Sequence, residues 1–179
     1  MKKIHILLIG FFLVSIGFIT YGCQKSQSVL KLENVSFPSS TDSTIILTIE
    51  ADDLVKTYSL AQIEQLGMKK MGTNTYWPED DGIYEGVLLS SLLKDVNLQE
   101  IDSLKIVALD DYTCEIPREH WKNWPVLVAT RRNGKVLTVK EKGPMRIIYP
   151  KFLGEELDDE YRTIYWIWNI KAMKGKTGN

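Results

Sequence analysis

Asn133-Gly134 stands between two β-prone runs, residues 126–132 and 135–139. Both residues reach positive φ at little cost, so the pair specifies a two-residue hairpin whose twist suits the strands it joins. A chain committed to that hairpin must supply partners for it, and the second half offers several. Residues 104–109 form an apolar run with β-branched members, and Asp110-Asp111 turns it into residues 112–116, where apolar side chains alternate. Residues 145–149 make a further strand between two prolines, and residues 165–173 close the series. Pro117 opens a short helix through Trp121, since proline is tolerated at a first helical position.

The first half adds a smaller set. Residues 29–37 alternate weakly as a first strand. Residues 44–51 and 54–58 pair across Asp52-Asp53. Ser59 with Gln62 three residues on is a capping box for a helix carrying Leu60, Ile63 and Leu66, which Gly67 stops. Residues 68–77 read as a strand, 78–82 as an acidic loop and 87–96 as a second helix. Strands dominate and helices are short, so the class is α+β with a mixed β-sheet or barrel. A 179-residue chain of ordinary globular composition, 44% hydrophobic and 25% charged, holds one domain with a real core.

The N-terminus has a separate job. Lys2 and Lys3 precede an almost purely apolar stretch to Ile19, and Thr20-Tyr21-Gly22-Cys23 follows. That order is a secretory signal. A small residue before cysteine resembles the bacterial lipobox, which makes residues 1–22 a signal peptide and Cys23 a lipidated first residue. Residues 23–43 are then the lipid-attachment site and tether, 44–174 the domain and 175–179 a tail. An uncleaved anchor, at marginal length for a span, and ordinary cleavage are the alternatives. Every version exports the domain to the cell envelope or periplasm, and the lipid or the anchor would tie it to the membrane.

Composition excludes several chemistries. The net charge is −1 and basic residues are interleaved with acids, which argues against nucleic acid. The chain has two histidines and two cysteines in all, and beyond the signal only His120 and Cys114 remain as nitrogen or thiol ligands. No side-chain metal site is therefore expected. His120 reads as a solvated turn residue and Cys114 as a buried structural thiol. The acid pairs Asp80-Asp81, Asp110-Asp111 and Asp158-Asp159 read as solvated loops. No nucleophile elbow, dinucleotide fingerprint or Walker loop is present. The more telling group is basic: Arg131, Arg132, Lys142, Arg146 and Lys151 flank the hairpin and the Gly143-Pro144 strand. Arginine forks converging there would suit phosphate or carboxylate groups, and scattered solvated charge is the alternative of equal weight.

These segments also resemble a known family. Tyr58-Ser59-Leu60, Tyr84-Glu85-Gly86-Val87-Leu88-Leu89, Ala108-Leu109-Asp110-Asp111-Tyr112, Arg132-Asn133-Gly134-Lys135-Val136-Leu137 and Gly143-Pro144-Met145-Arg146 are similar to the oxidoreductase molybdopterin-binding domain. This is the domain of sulfite oxidases and of the periplasmic methionine-sulfoxide reductase catalytic subunit. The resemblance spans roughly residues 45–174. It implies the sulfite-oxidase fold and a cleft for molybdopterin. It implies Arg146, Lys151 and Arg132 as pterin-binding bases, with Lys142 where the family often has histidine before Gly-Pro. Trp77, Tyr112, Arg118, Arg132, Lys142 and Arg146 are the expected cleft lining. Catalytic members hold molybdenum through a cysteine thiolate soon after the first helix, and residues 68–77 contain none. The favoured expectation is a module that binds a small anionic or pterin-like ligand without molybdenum catalysis. A protein partner in the envelope is a further expectation. The alternatives are an active oxidoreductase with a different ligand and a structural envelope lipoprotein. The signal has Lys2-Lys3 and no Arg-Arg pair, and so resembles the general route for unfolded chains, which delivers a domain without a cofactor assembled in the cytoplasm.

Overall fold

The computed structural model describes residues 32–75, 77–150 and 164–176. Residues 1–22, Cys23, most of the tether, Lys151 and Asp158-Asp159 lie outside the described residues. The described strands are β1 (Glu33–Asn34), β2 (Ile45–Ala51), β3 (Leu54–Ser59), β4 (Met68–Thr73), β5 (Gly82–Leu88), β6 (Ser103–Ala108), β7 (Thr113–Pro117), β8 (Leu127–Arg132), β9 (Lys135–Val136), β10 (Arg146–Ile148) and β11 (Ile170–Lys176). Three short helices join them: α1 (Leu60–Glu64), α2 (Leu89–Asp95) and α3 (Arg118–Asn123).

The strands make two sheets. The first runs β1-β4-β5-β8-β10, with β9 paired to β8, and is antiparallel throughout. The second runs β3-β2-β11-β6-β7 and is mixed, because β11 lies parallel to β2 and antiparallel to β6. The α+β class with a mixed sheet stands; the described strands form no closed barrel.

Local signals explain much of this. Asn133 and Gly134 take φ of 51° and 78°, and the hairpin forms in the expected register, Arg132 opposite Lys135. Asp52 at φ 47° turns β2 into β3. Ser59 caps α1 and Gln62 returns the bond, Gln62 Oε1 accepting from the Ser59 amide at 2.8 Å. Alternating side chains Leu47, Ile49 and Ala51 of β2 and Leu104, Ile106 and Ala108 of β6 enter the core. They join Met71, Tyr84, Val87 and Val128 of the first sheet and Leu89, Leu92 and Leu93 of α2 in one apolar cluster.

Three segments differ from expectation. Residues 82–88 form the central strand β5, and the helix starts only at Leu89. Gly86 permits this: a Cβ there would lie 2.1 Å from the Val128 carbonyl oxygen, so β8 can approach only a glycine. The strand expected over 165–173 begins at Ile170, because Asn169 adopts φ 53° and breaks the extended run. It then continues to Lys176. The strand expected over 68–77 stops at Thr73, and Pro78–Asp80 is a single 3-10 turn.

Candidate functional site

At one end of the first sheet the Pro78–Asp80 turn inserts Asp80 beneath the loop that leads into β10. Asp80 is 7% exposed. Its carboxylate accepts from Lys142 Nζ, and its Oδ2 also accepts from both terminal nitrogens of Arg146, each at 3.2 Å. Arg132 Nη1 stands 3.8 Å from Oδ1. Arg146 is fully buried on β10, whereas Arg132 ends β8 and Lys142 follows the 3-10 turn Val139–Glu141 at φ 67°.

Tyr84 of β5 ties the turn to the bases. Its hydroxyl donates to the Asp80 carbonyl at 2.6 Å and accepts from Arg146 Nη1 at 3.1 Å. Arg132 Nη2 donates to the carbonyls of Glu79 and Asp81 at 2.6 and 2.8 Å. Burial alone would raise the Asp80 carboxyl, but the Lys142 hydrogen bond and the Arg146 and Lys142 charges outweigh it and hold the group below its usual range. Burial pushes the Tyr84 phenol up, against the pull of Arg146 and Arg132.

Beside this cluster lies a cavity of about 330 Å³ lined by Trp77, Asp110, Tyr112, Trp166 and Trp168, among others. Trp77 and Trp168 meet edge to face with centroids 5.1 Å apart. The Lys142 ammonium sits 4.8 Å from the Trp77 ring centre and 4.9 Å from that of Trp168. The two rings therefore wall the cavity and also hold the Lys142 cation, a favourable placement for a cation near indole rings.

Of the six residues expected to line a cleft, Arg132, Lys142 and Arg146 meet around Asp80. Trp77 joins them to the cavity, and Tyr112 lines its other part. Arg118 is placed elsewhere: at the start of α3 it bonds the Glu100 carbonyl at 2.9 Å and the Asp102 carboxylate at 3.2 Å. Arg131 is likewise engaged, clasped by Glu64 at 2.7 and 3.0 Å.

The sequence missed Asp80, Tyr84, Trp166 and Trp168. Asp80 read as a solvated loop acid, and its burial corrects that. A signal was available, since three bases expected to converge in one cleft require a counter-charge. His120 also differs from the solvated reading. It is buried, with Nδ1 2.9 Å from the Tyr149 hydroxyl and its ring among Trp124, Tyr149 and Tyr165. Cys114 is buried as expected, and burial pushes its thiol up to about 11. Asp110 borders the cavity, whereas Asp111 pairs with Lys171 at 2.6 Å.

A family model, the oxidoreductase molybdopterin-binding domain, matches residues 48–177. The chain belongs to that family. No curated protein matches it.

The donor set does not fit the metal of that family's cofactor. Cys114 is a protonated, buried thiol on β7, and Cys23 precedes the matched region. The hydroxyls of Thr73 and Thr75 donate to the carbonyls of Tyr149 and Trp77 at 2.8 and 2.6 Å. No group of three or more His, Cys, Asp or Glu side chains is poised for a metal among the described residues. The basic cluster is different: Arg132 Nε and Arg146 Nε are buried donors with no partner among the described residues. An orphaned buried donor suits an acceptor-rich anion.

Proposed function

We propose that this domain binds a small anionic ligand with a flat, pterin-like ring, displayed on the outer side of a bacterial membrane from a lipid on Cys23. One observation carries the ligand reading. Trp77 and Trp168 wall a cavity of ligand size, and both hold the Lys142 ammonium at cation–π distance. Flat aromatic ligands stack on such walls, and a cation close by favours an anion. Membership of a pterin-binding family supports the ring, and the unsuitable metal donors support binding without molybdenum catalysis.

The test is thermal stabilisation by pterin-6-carboxylate, followed together with tryptophan fluorescence. A ligand bound only by the native state must raise the melting temperature. No stabilisation and no fluorescence change would leave the structural envelope lipoprotein as the better reading. Family membership also favours a second reading, an active molybdopterin-dependent oxidoreductase. Near-stoichiometric molybdenum in protein purified from a cofactor-competent host would replace the binding module with that enzyme. Lipidation is tested by mass spectrometry of the mature N-terminus, with Cys23→Ser expected to release the protein from membranes.

A further inference from the structure

His120 and Tyr149 form a buried polar pair that the ligand reading leaves without a task. The imidazole is 6% exposed and the phenol 1%, and His120 Nδ1 lies 2.9 Å from the phenolic oxygen, within reach of direct proton transfer. Burial keeps the His120 ring in its neutral form and pushes the Tyr149 phenol well above its usual range. A protonated phenol beside a neutral imidazole donates to the bare ring nitrogen, which assigns Nδ1 as the acceptor and the ring hydrogen to Nε2. The pair is also connected to the cavity. Tyr149 and Trp166 have ring centroids 5.8 Å apart, and Trp166 lines the cavity wall. The imidazole itself meets the rings of Trp124 and Tyr165 at 4.9 and 4.6 Å, and the Glu119 charge favours its protonation.

These surroundings suit a change of oxidation state. A phenol that loses an electron becomes a strong acid, so in a dry site it is oxidised only where a base already touches it. His120 Nδ1 is that base. The imidazolium then formed is a buried cation, costly unless compensated. Two aromatic rings within cation–π distance and the Glu119 carboxylate compensate it. We propose that Tyr149 and His120 are a proton-coupled redox pair that takes up oxidising equivalents reaching the cavity, by way of Trp166. The oxidant is a small oxygen-centred radical, such as the carbonate radical anion. It takes one electron from the Trp166 indole and becomes carbonate, and the indole radical cation takes one electron from Tyr149. The phenolic O–H bond breaks and its proton forms an N–H bond at His120 Nδ1, leaving a neutral phenoxyl radical and an imidazolium. The proton sets the direction, because an indole that keeps its charge yields the hole to a phenol that can shed one. An enediol donor returns one electron and becomes its own radical, and the proton goes back from Nδ1 to the phenolic oxygen.

The test uses the full chain without added ligand, so its outcome is separate from that of the ligand reading. Flash excitation of ruthenium tris-bipyridyl with a cobalt(III) ammine quencher generates the one-electron oxidant. The phenoxyl radical is followed by transient absorption and, after freeze-trapping, by electron paramagnetic resonance. Wild type should give a long-lived phenoxyl signal, and Tyr149→Phe only short-lived radicals from exposed tyrosines such as Tyr112. His120→Asn keeps a hydrogen-bond acceptor but no base, so the rate of formation should fall about a hundredfold, the scale of a positioned general base. Trp166→Phe removes the oxidisable ring between cavity and phenol and should slow formation as well. No long-lived signal in wild type, the same signal in Tyr149→Phe, or an unchanged rate in His120→Asn or Trp166→Phe would overturn the proposal. Should a variant not fold, high-field resonance of the wild-type radical decides. A phenoxyl bonded to an imidazolium carries a proton coupling that vanishes in heavy water, and a radical without that coupling would overturn the proposal too.

Discussion

Removing one oxygen from Tyr84 probes the coupling between the sheet and the Asp80 turn. Tyr84→Phe keeps the ring in its fully buried place, so little cavity forms. It leaves the Asp80 carbonyl without its 2.6 Å donor, in a site that water does not reach freely. An orphaned buried acceptor costs about 1–3 kcal/mol. Arg146 loses a 3.1 Å acceptor but keeps Asp80 Oδ2, so its contribution is at the low end of a net hydrogen bond, ~0.5 kcal/mol. The expected destabilisation is about 2 kcal/mol. Tyr58→Phe supplies the comparison. The Tyr58 hydroxyl donates to Asp95 at 2.6 Å, but the Asp95 side chain is 31% exposed and also holds Lys56. Water replaces the lost donor there, and the cost should be about 0.5–1 kcal/mol. Urea unfolding of both variants at unchanged m-value measures the difference directly. If Tyr84→Phe proves no costlier than Tyr58→Phe, the Tyr84 bonds do not secure the turn and the reasoning fails.

Gly86→Ala should cost about 3 kcal/mol or more, or abolish folding, because the new Cβ meets the backbone of Val128 and Ala129 at 2.1 and 2.6 Å, and neither can yield alone; circular dichroism and urea curves read this. Burial depresses His120 below its ordinary value of 6.5, against a smaller upward pull from Glu119. The unfolded chain then binds the proton more readily, so the His120 contribution is whole above about pH 6.5 and is lost as pH falls through it toward the folded value. The stability difference between wild type and His120→Asn should shrink over that window, and a pH-independent difference would refute the assignment. Cys114, with its thiol pushed up to about 11, should resist Ellman's reagent in the native protein and react fully in denaturant.

What could be read from the sequence was local. The Asn133-Gly134 hairpin, the Ser59–Gln62 capping box and the Asp52 turn each rest on bonds between residues a few positions apart, and each formed as expected. Elements decided at long range were not legible. Gly86 looks like a strand breaker until β8, some forty residues later in sequence, lies across it. Asn169 looks like one position in an alternating run until its positive φ ends that run. The candidate site divides in the same way. Arg132, Lys142 and Arg146 lie on the hairpin and the segment after it, so their meeting could be anticipated. Asp80 reaches them from a turn across the sheet, and nothing beside it in sequence marks it as buried. Arg118 satisfies its charge on Glu100 and Asp102, acids that its own helix start faces.

The place of β11 has a consequence for biosynthesis. It lies between β2 and β6, pairing with both, although it is the last of the described strands in chain order. A nascent chain holding every other strand still presents two unpaired sheet edges, those of β2 and β6. The second sheet cannot close until residue 176 has left the ribosome. Premature termination even a few codons before β11 would therefore yield a sticky intermediate rather than a slightly shortened domain.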